Sequence, residues 1–575
     1  MNKKIARESL MKALFIVTTQ IVYGQIFGSK NILVGMIMAM GVVAFLNRDL
    51  TGQIIFRTTT FLILNLVLGV LSYLSVIDIW WGLVINVLTI FIITYIYMND
   101  FRSPTSYIFI MLYIFMWASP VNLDELPYRL LALSFSIFII ILAQIIFNKG
   151  KFISKSNQII NDIVDDLQKQ INDIIMGEFD IKTNIQINKK IRSLLALIDE
   201  RKQKRKYNSK HEINQFNIAV CLDRLNLIIN NVAKYNKDKN IKSKYLNDLK
   251  VQINNIKEFN EDKKDVNEIN KDIEEFINRY DKVKNKPLFL TENIHLLEIF
   301  RYSINDSKER KNKTLMRIYN IINIPSRVNL FDKIKESFNL KSLKFIYSFK
   351  LALSISLSMF LVQYLNIQYG KWIVITIYVI MQPYKEDTVK KAKKRFIGTF
   401  IGVILFFVLF SIIHDTIPKV LILLVAFFYY FYFKDYEKKV MSMTIVSLSS
   451  ISLVENINIL SIDRFIFVTV GISIALLFNK YFLPYNISNS IEELKHKYKK
   501  NSKEISKEVD KVIRGKGSLD KVIKLSLIEN KLENKLIANN EIVKDKNVEK
   551  LIYRQSMIMS DTRFLLLRHY YSNQL

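Results

Sequence analysis

The sequence predicts an all-α membrane protein, built as two parallel-repeat six-helix transmembrane bundles, each followed by a cytoplasmic α-helical region. Three observations predict it. Half of the 575 residues are hydrophobic although 23% are charged, so the two classes must be segregated along the chain. The apolar residues gather in two blocks, roughly 11–147 and 343–484, while most Lys, Asn, Asp and Glu fall in 148–342 and 485–575. Basic residues also recur on alternate short loops within both blocks, as the positive-inside rule requires of an even number of crossings. The boundaries that follow are 1–148 for the first bundle, 149–342 for a cytoplasmic helical domain, 343–485 for the second bundle and 486–575 for a C-terminal cytoplasmic helical region.

A hydrocarbon core of about 30 Å needs about 20 apolar residues per helix, fewer where a helix is short or re-entrant. Twelve segments qualify: 11–27, 32–46, 54–76, 79–97, 105–118 and 129–147, then 344–362, 371–383, 396–413, 417–433, 439–454 and 464–483. Lys3, Lys4 and Arg7 precede helix 1, Arg48 and Arg57 lie between helices 2 and 3, and Arg102 between 4 and 5. The run from Lys390 to Arg395 and the set Lys434, Lys438 and Lys439 repeat this pattern in the second block. Both termini and both polar regions are therefore expected in the cytoplasm. The basic start followed by an apolar stretch superficially resembles a cleavable leader, but a second apolar stretch begins at Ile32 and no A-x-A site precedes it.

The two blocks share an order of marks that suggests duplication about an axis along the membrane normal. Phe27-Gly28-Ser29-Lys30 precedes helix 2 and Tyr369-Gly370-Lys371 precedes helix 8; Arg57 and Arg395 open helices 3 and 9; Arg129 and Arg464 open helices 6 and 12. Helix 8 holds only about twelve apolar residues before Gln382-Pro383, too few at about 1.5 Å each to cross unaided. A proline lacks the N–H and disfavours helix in the residue before it, so this break should leave polar backbone that a cavity or a helix crossing must satisfy.

In the polar regions, Ile160, Ile163, Leu167, Ile171 and Ile174 recur at helical spacing. So do Ile191, Leu194, Leu195 and Ile198, and again Leu222, Leu225, Ile229 and Val232. Such stripes form the core of a helical bundle. Breaks fall near 202–210, 236–242 and 259–265, and Ser518 after Gly515-Lys516-Gly517 can cap the helix that follows.

Composition also narrows the function. The chain has 82 Lys and Arg against 52 Asp and Glu, a net charge of +30. The lysines are interleaved with Asn and Ile without any aromatic and basic cluster, so anionic lipid headgroups, not nucleic acid, are the expected partner. One cysteine, Cys221, leaves no intramolecular disulfide and no cysteine metal site, and the five histidines never approach ligand spacing. HExxH, P-loop, GxSxG and GxGxxG motifs are all missing, which argues against an enzyme and against any cofactor or metal. No Asp or Glu falls near the middle of a membrane helix, where proton-driven carriers often place one.

The stretch from Tyr369 to Leu405, YGKWIVITIYVIMQPYKEDTVKKAKKRFIGTFIGVIL, carries Trp372, Thr376, Gln382-Pro383, Thr388, then Arg395 followed by Gly398-Thr399 and Gly402. This order resembles the W-x3-T, Q-P and R-x2-G-T-x2-G pattern of the fusaric acid resistance and aromatic acid exporter family of bacterial inner-membrane proteins. Arg464, Thr469, Gly471, Asn479 and Pro484 likewise resemble the last membrane helix of its repeat. The first block departs from the pattern, with Arg57-Thr58-Thr59-Thr60 where the second has Arg395-x2-Gly398-Thr399. The resemblance implies an inner-membrane protein that exports small organic, often aromatic, carboxylates.

On that resemblance the candidate substrate path comprises Trp372, Thr376, Gln382, Pro383, Arg395, Thr399, Arg57 and Arg464, with Gly398 and Gly402 packing helices closely. Arg395 reads equally as a cytoplasmic membrane anchor or as a planar fork for a carboxylate. Trp372 reads as an interfacial belt residue or a stacking surface. A passive anion channel, and a membrane-anchored structural or assembly protein acting through its cytoplasmic helices, are the alternatives. The sequence leaves open a homodimer and a periplasmic or cytoplasmic partner protein.

With Cys221 replaced by Ser, single cysteines at Asn122 and Asn208 should be distinguished by an impermeant thiol reagent applied from outside. Labelling is expected at Asn122 only; the reverse pattern would invert the orientation.

Overall fold

The computed structural model describes residues 3–46, 54–97, 106–148, 151–178, 181–202, 210–233, 239–261, 263–283, 288–309, 342–412, 416–449 and 457–572. Among these the chain is helical and contains no strand. It divides into two compact units, one of residues 1–147 with 328–490 and the other of 148–327 with 491–575.

The first unit holds α1 (Lys3–Phe27), α2 (Ile32–Phe45), α3 (Ile54–Ile77), α4 (Ile79–Tyr97), α5 (Ser106–Ala118) and α6 (Leu126–Asn148). Further along the chain it holds six more helices. The α-helical stretches after residue 148 that belong to the second unit are α7 (Lys151–Met176), α8 (Ile181–Lys202), α9 (Lys210–Ala233), α10 (Lys239–Asn260), α11 (Val266–Asp281) and α12 (Leu288–Glu309). The first unit then resumes with α13 (Leu343–Tyr364), α14 (Lys371–Ile380), α15 (Lys385–Ile412), α16 (Thr416–Tyr432), α17 (Tyr436–Ser449) and α18 (Ile457–Tyr481). Seven of its helices, α1, α3, α4, α6, α13, α15 and α18, are long and apolar enough to cross a membrane, and α2, α5, α14 and α16 are shorter apolar helices. The chain is thus an all-α membrane protein.

Each of the twelve apolar segments forms a helix among its described residues, 450–454 of the expected 439–454 lying outside them, but three helices begin well before the sequence suggests, the first of them at Lys3 ahead of the expected 11–27. The expected 396–413 helix starts at Lys385, because the polar run KEDTVKKAKK continues the same helix behind the apolar stretch. Arg395 therefore lies ten residues into α15, about 15 Å from its start. The expected 464–483 helix starts at Ile457, which puts Arg464 two turns in and not at the entry.

Close approach between α15 and α17 depends on two glycines. A Cβ at Gly398 would strike the Glu437 carbonyl oxygen and Val440, and one at Gly402 would come within 2.8 Å of the Met441 carbonyl oxygen. Gly471 of α18 does the same against α14, where a Cβ would meet Thr376 at 2.8 Å.

In the second unit every stripe residue named above is buried, from Ile160 through Val232, and Cys221 joins the same core. Three C-terminal helices complete it: α19 (Ile487–Ile513), α20 (Leu519–Val543) and α21 (Lys546–Ser572). Ser518 stands at the N-cap of α20, yet its hydroxyl makes no capping bond. Its backbone N–H donates instead to Glu508 Oε1 at 3.2 Å.

A buried carboxylate cluster lies among these helices. The Ser502 hydroxyl donates to Glu529 Oε1 at 2.5 Å, and Arg192 pairs with Glu533 at 3.1 Å. Burial pushes the Glu529 carboxyl up to about 7 against the pull of Arg563 and Ser502, with Glu533 adding to the rise. A carboxyl raised on folding binds its proton more tightly in the folded state, so stability falls as pH rises between about 4.5 and 7. Chemical unfolding of the second unit should follow that slope, losing on the order of 3 kcal/mol at most across the window, and Glu529→Gln should flatten it. An unchanged slope in that variant would assign the dependence elsewhere.

Candidate functional site

In α14, Trp372 and Thr376 sit one turn apart and are both buried, Thr376 completely. The helix is only ten residues long and ends at Met381, whose backbone turns extended ahead of Gln382-Pro383. The N–H that this leaves at Gln382 is accepted by the Thr388 hydroxyl at 3.0 Å, and the Gln382 side chain donates to the Met381 carbonyl at 2.8 Å. Gln382 and Pro383 are thus spent on sealing the turn into α15. A hydroxyl six residues downstream answers the backbone that the break exposes.

The second helix of the site, α15, presents Arg395 and Thr399 on its buried face, while Lys393 and Lys394 are exposed. Those lysines are the surface anchors. Arg395 points inward at 6% exposure, which separates it from them. The third helix is α18, antiparallel to α15. Its Phe465 packs on Phe396 and Phe400 at ring distances of 5.5 and 5.8 Å, and its Asn479 donates to the Lys385 carbonyl at 3.2 Å. The aromatic contacts set the height of Arg464, the neighbour of Phe465, at the level of residues 396–400. It lies about one turn from Arg395, close enough for the two charges to act on each other.

Both guanidiniums are incompletely bonded. Arg464 is 2% exposed and lies over Trp372, its central carbon 3.8 Å from the ring centroid. Nε and Nη1 of Arg464 and Nε of Arg395 have no hydrogen-bond partner, and no ion pair joins either residue to a carboxylate among the described residues. The hydroxyls of Thr376, Thr399 and Tyr436 are equally unspent. Tyr436 of α17 faces Arg395 without reaching hydrogen-bond geometry. Stacking on an aromatic face leaves the N–H edge of a guanidinium open, so the arrangement offers in-plane donors to an anion.

Several residues here were not singled out from the sequence. Lys391, one turn before Arg395, rests over the Tyr436 ring at 5.3 Å. Tyr107 of α5 stacks on Tyr378 at 5.4 Å and accepts, at its carbonyl, a 3.0 Å bond from the Tyr378 hydroxyl, so the first block packs against α14 here. Tyr107 and Tyr430 both act electrostatically with Arg395. Lys350 is fully buried in α13, with Nζ donating to Asn479 Oδ1 at 3.0 Å. A lysine within an apolar span is a readable signal of this kind. The tyrosine contacts join residues far apart in the chain and leave no local mark. The Arg57 side chain lies outside the described residues.

A buried arginine of the first block, Arg129, has a different fate. Arg129 of α6 donates to Asn31 Oδ1 at 2.9 Å and to the carbonyls of Lys30, Met116 and Ser119 at 3.0, 3.2 and 2.7 Å. Fifteen residues on in each helix, Gln144 donates to the Phe45 carbonyl at 2.7 Å and Asn479 to that of Lys385. Arg129 is thus bonded within the chain, whereas Arg464 keeps Nε and Nη1 unpartnered.

Replacing Thr388 by Val should strand the Gln382 N–H and cost about 1–3 kcal/mol in the thermal stability of the purified protein, without altering the charge of the site. No loss would mean that the break is sealed by something else.

No curated protein and no solved structure matches the chain. Residues 357–478 match the family described as fusaric acid resistance protein-like, a segment that includes Trp372, Thr376, Arg395, Thr399 and Arg464. The second helix block of this all-α membrane protein therefore carries a fusaric acid resistance protein-like module.

Proposed function

We propose that the chain is a transporter of the bacterial inner membrane, with both termini cytoplasmic, that exports small organic carboxylate anions, aromatic ones among them, through its second block. The family match supports a role in membrane transport. The observation that carries the finer reading is the pair of buried arginines whose N–H donors are left without partners. Desolvating a guanidinium costs several kcal/mol unless its donors are answered, and a carboxylate answers two of them at once.

In this reading Arg395 and Arg464 hold the anion, Trp372 keeps the Arg464 plane fixed, and Thr376, Thr399 and Tyr436 supply hydroxyl hydrogen bonds. Lys391 adds positive potential beside Arg395, which raises the local concentration of anions. Gln382 and Pro383 act as structure, holding α14 and α15 at their turn. The likeness between the Arg129 and Arg464 environments supports an internal duplication in which the first copy serves as scaffold. No role in holding the anion is drawn for Arg57.

Transport of radiolabelled carboxylates into and out of proteoliposomes containing the whole chain tests this. Arg395→Lys keeps the charge but loses the planar fork, so it should reduce transport about ten- to hundredfold at equal protein content, the equivalent of about 1.5–3 kcal/mol. Near-normal transport by this variant would remove Arg395 from the path. Accumulation against an anion gradient supports a coupled exporter, whereas flux that only follows the gradient would replace that reading with a passive channel.

A further inference from the structure

We infer that the anion held by this site is a small dicarboxylate, with one carboxylate on Arg395 and the other on Arg464. This rests on the transport reading and deepens it by naming the charge of the substrate. The argument is one of charge and geometry. Two buried arginines stand on neighbouring antiparallel helices at levels about one helical turn apart, roughly 5.4 Å along the axis by the ring contacts of Phe465, and their charges act on each other. Each keeps unspent N–H donors, and neither has a carboxylate in an ion pair among the described residues.

A ligand bearing one carboxylate would complete one guanidinium and leave the other as a desolvated, unpaired charge beside it. That residual cost is the kind that buried single charges incur. Two carboxylates on one short skeleton or one ring complete both. The like-charge repulsion between Arg395 and Arg464 then becomes attraction toward a shared ligand. The contrast with Arg129 sharpens the point, since that arginine donates four hydrogen bonds, to three backbone carbonyls and Asn31, with every guanidinium nitrogen engaged.

The flanking groups agree. Lys391 extends the line of positive charge below Arg395, and Lys371 acts electrostatically on the other side with Arg464. Asp387 partly offsets Lys391, so the uncompensated charge is concentrated on the two arginines. The open hydroxyls of Thr376 and Thr399, on α14 and α15, can bond a hydroxyl or carbonyl on the ligand skeleton.

The test uses the purified whole chain at pH 7, where both acid groups of the probes are ionised. Succinate and phthalate are compared with butyrate and benzoate of matching skeleton, and with inorganic phosphate, by transport in proteoliposomes and by ligand-induced shift in unfolding temperature. The dicarboxylates should be carried at least tenfold more efficiently and should give the larger shift. Arg464→Gln should abolish that preference, and Arg464→Lys should retain it at reduced affinity. Equal or better handling of the monocarboxylates, or a larger shift with phosphate, would overturn the inference while leaving anion transport standing. A chain that responds to none of the five anions loses the transport reading and this inference together. Should Arg464→Gln fail to fold, the comparison of probes on the unaltered chain decides the matter alone.

Discussion

Within an apolar helix bundle, a cation removed from water must be answered by acceptors nearby, and the membrane unit is organised around how its buried cations meet that demand. Lys350 meets it with Asn479, which in turn donates to the Lys385 carbonyl and so ties α13, α15 and α18 together. Arg129 meets it with four acceptors spread over the α1–α2 connection, the end of α5 and the loop beyond it. These are fixing points. Arg464 rests over Trp372, yet Nε and Nη1 of Arg464 and Nε of Arg395 are left without a partner. The difference between a closed and an open arginine, Arg129 against Arg464, is what supports the proposed division of the two blocks into scaffold and site.

Much of this was legible in the sequence. Apolar length and helical period marked the membrane segments and the core stripes of α7, α8 and α9, because those patterns are local consequences of burial, whereas the buried residues of α10–α12 such as Tyr245 and Ile273 were not picked out. Trp372, Thr376, Thr399, Arg395 and Arg464 could be read as one group from their ordered motif, and all five lie buried. What misled was the boundary between polar and membrane sequence. KEDTVKKAKK has the composition of a loop but continues α15, so Arg395 is deeper than its position beside a lysine run suggests. The break at Gln382-Pro383 looked like an opening because its acceptor, Thr388, is on the far side of the turn and serves it only once the chain has folded. Tyr107 was invisible for a stronger reason, since its partners lie in the other block.

The second unit shows the same logic in a more polar setting. Arg224 pairs with both Glu292 and Asp561 and lies 5.0 Å from the centre of the Phe564 ring. Arg192 pairs with Glu533 while its carbonyl accepts from Asn530. Ile523, Leu527, Phe564 and Leu567 of the last helices fill the core built by α7–α12. Hydrophobic burial supplies the adhesion and the ion pairs supply register, because each arginine has a fixed set of acceptors to find.

That interleaving has a consequence for the order of assembly. During synthesis, α7–α12 emerge long before the residues that complete their core, with the whole second membrane block made in between. Until the last helices arrive, Arg192 and Arg224 lack their partners on Glu533 and Asp561, and the surface that will receive Leu527 and Phe564 is uncovered. The early helices must therefore wait in a partly assembled state, and the final residues act as a closing clasp. A chain that stops after the second block leaves that state without the helices that fill its core.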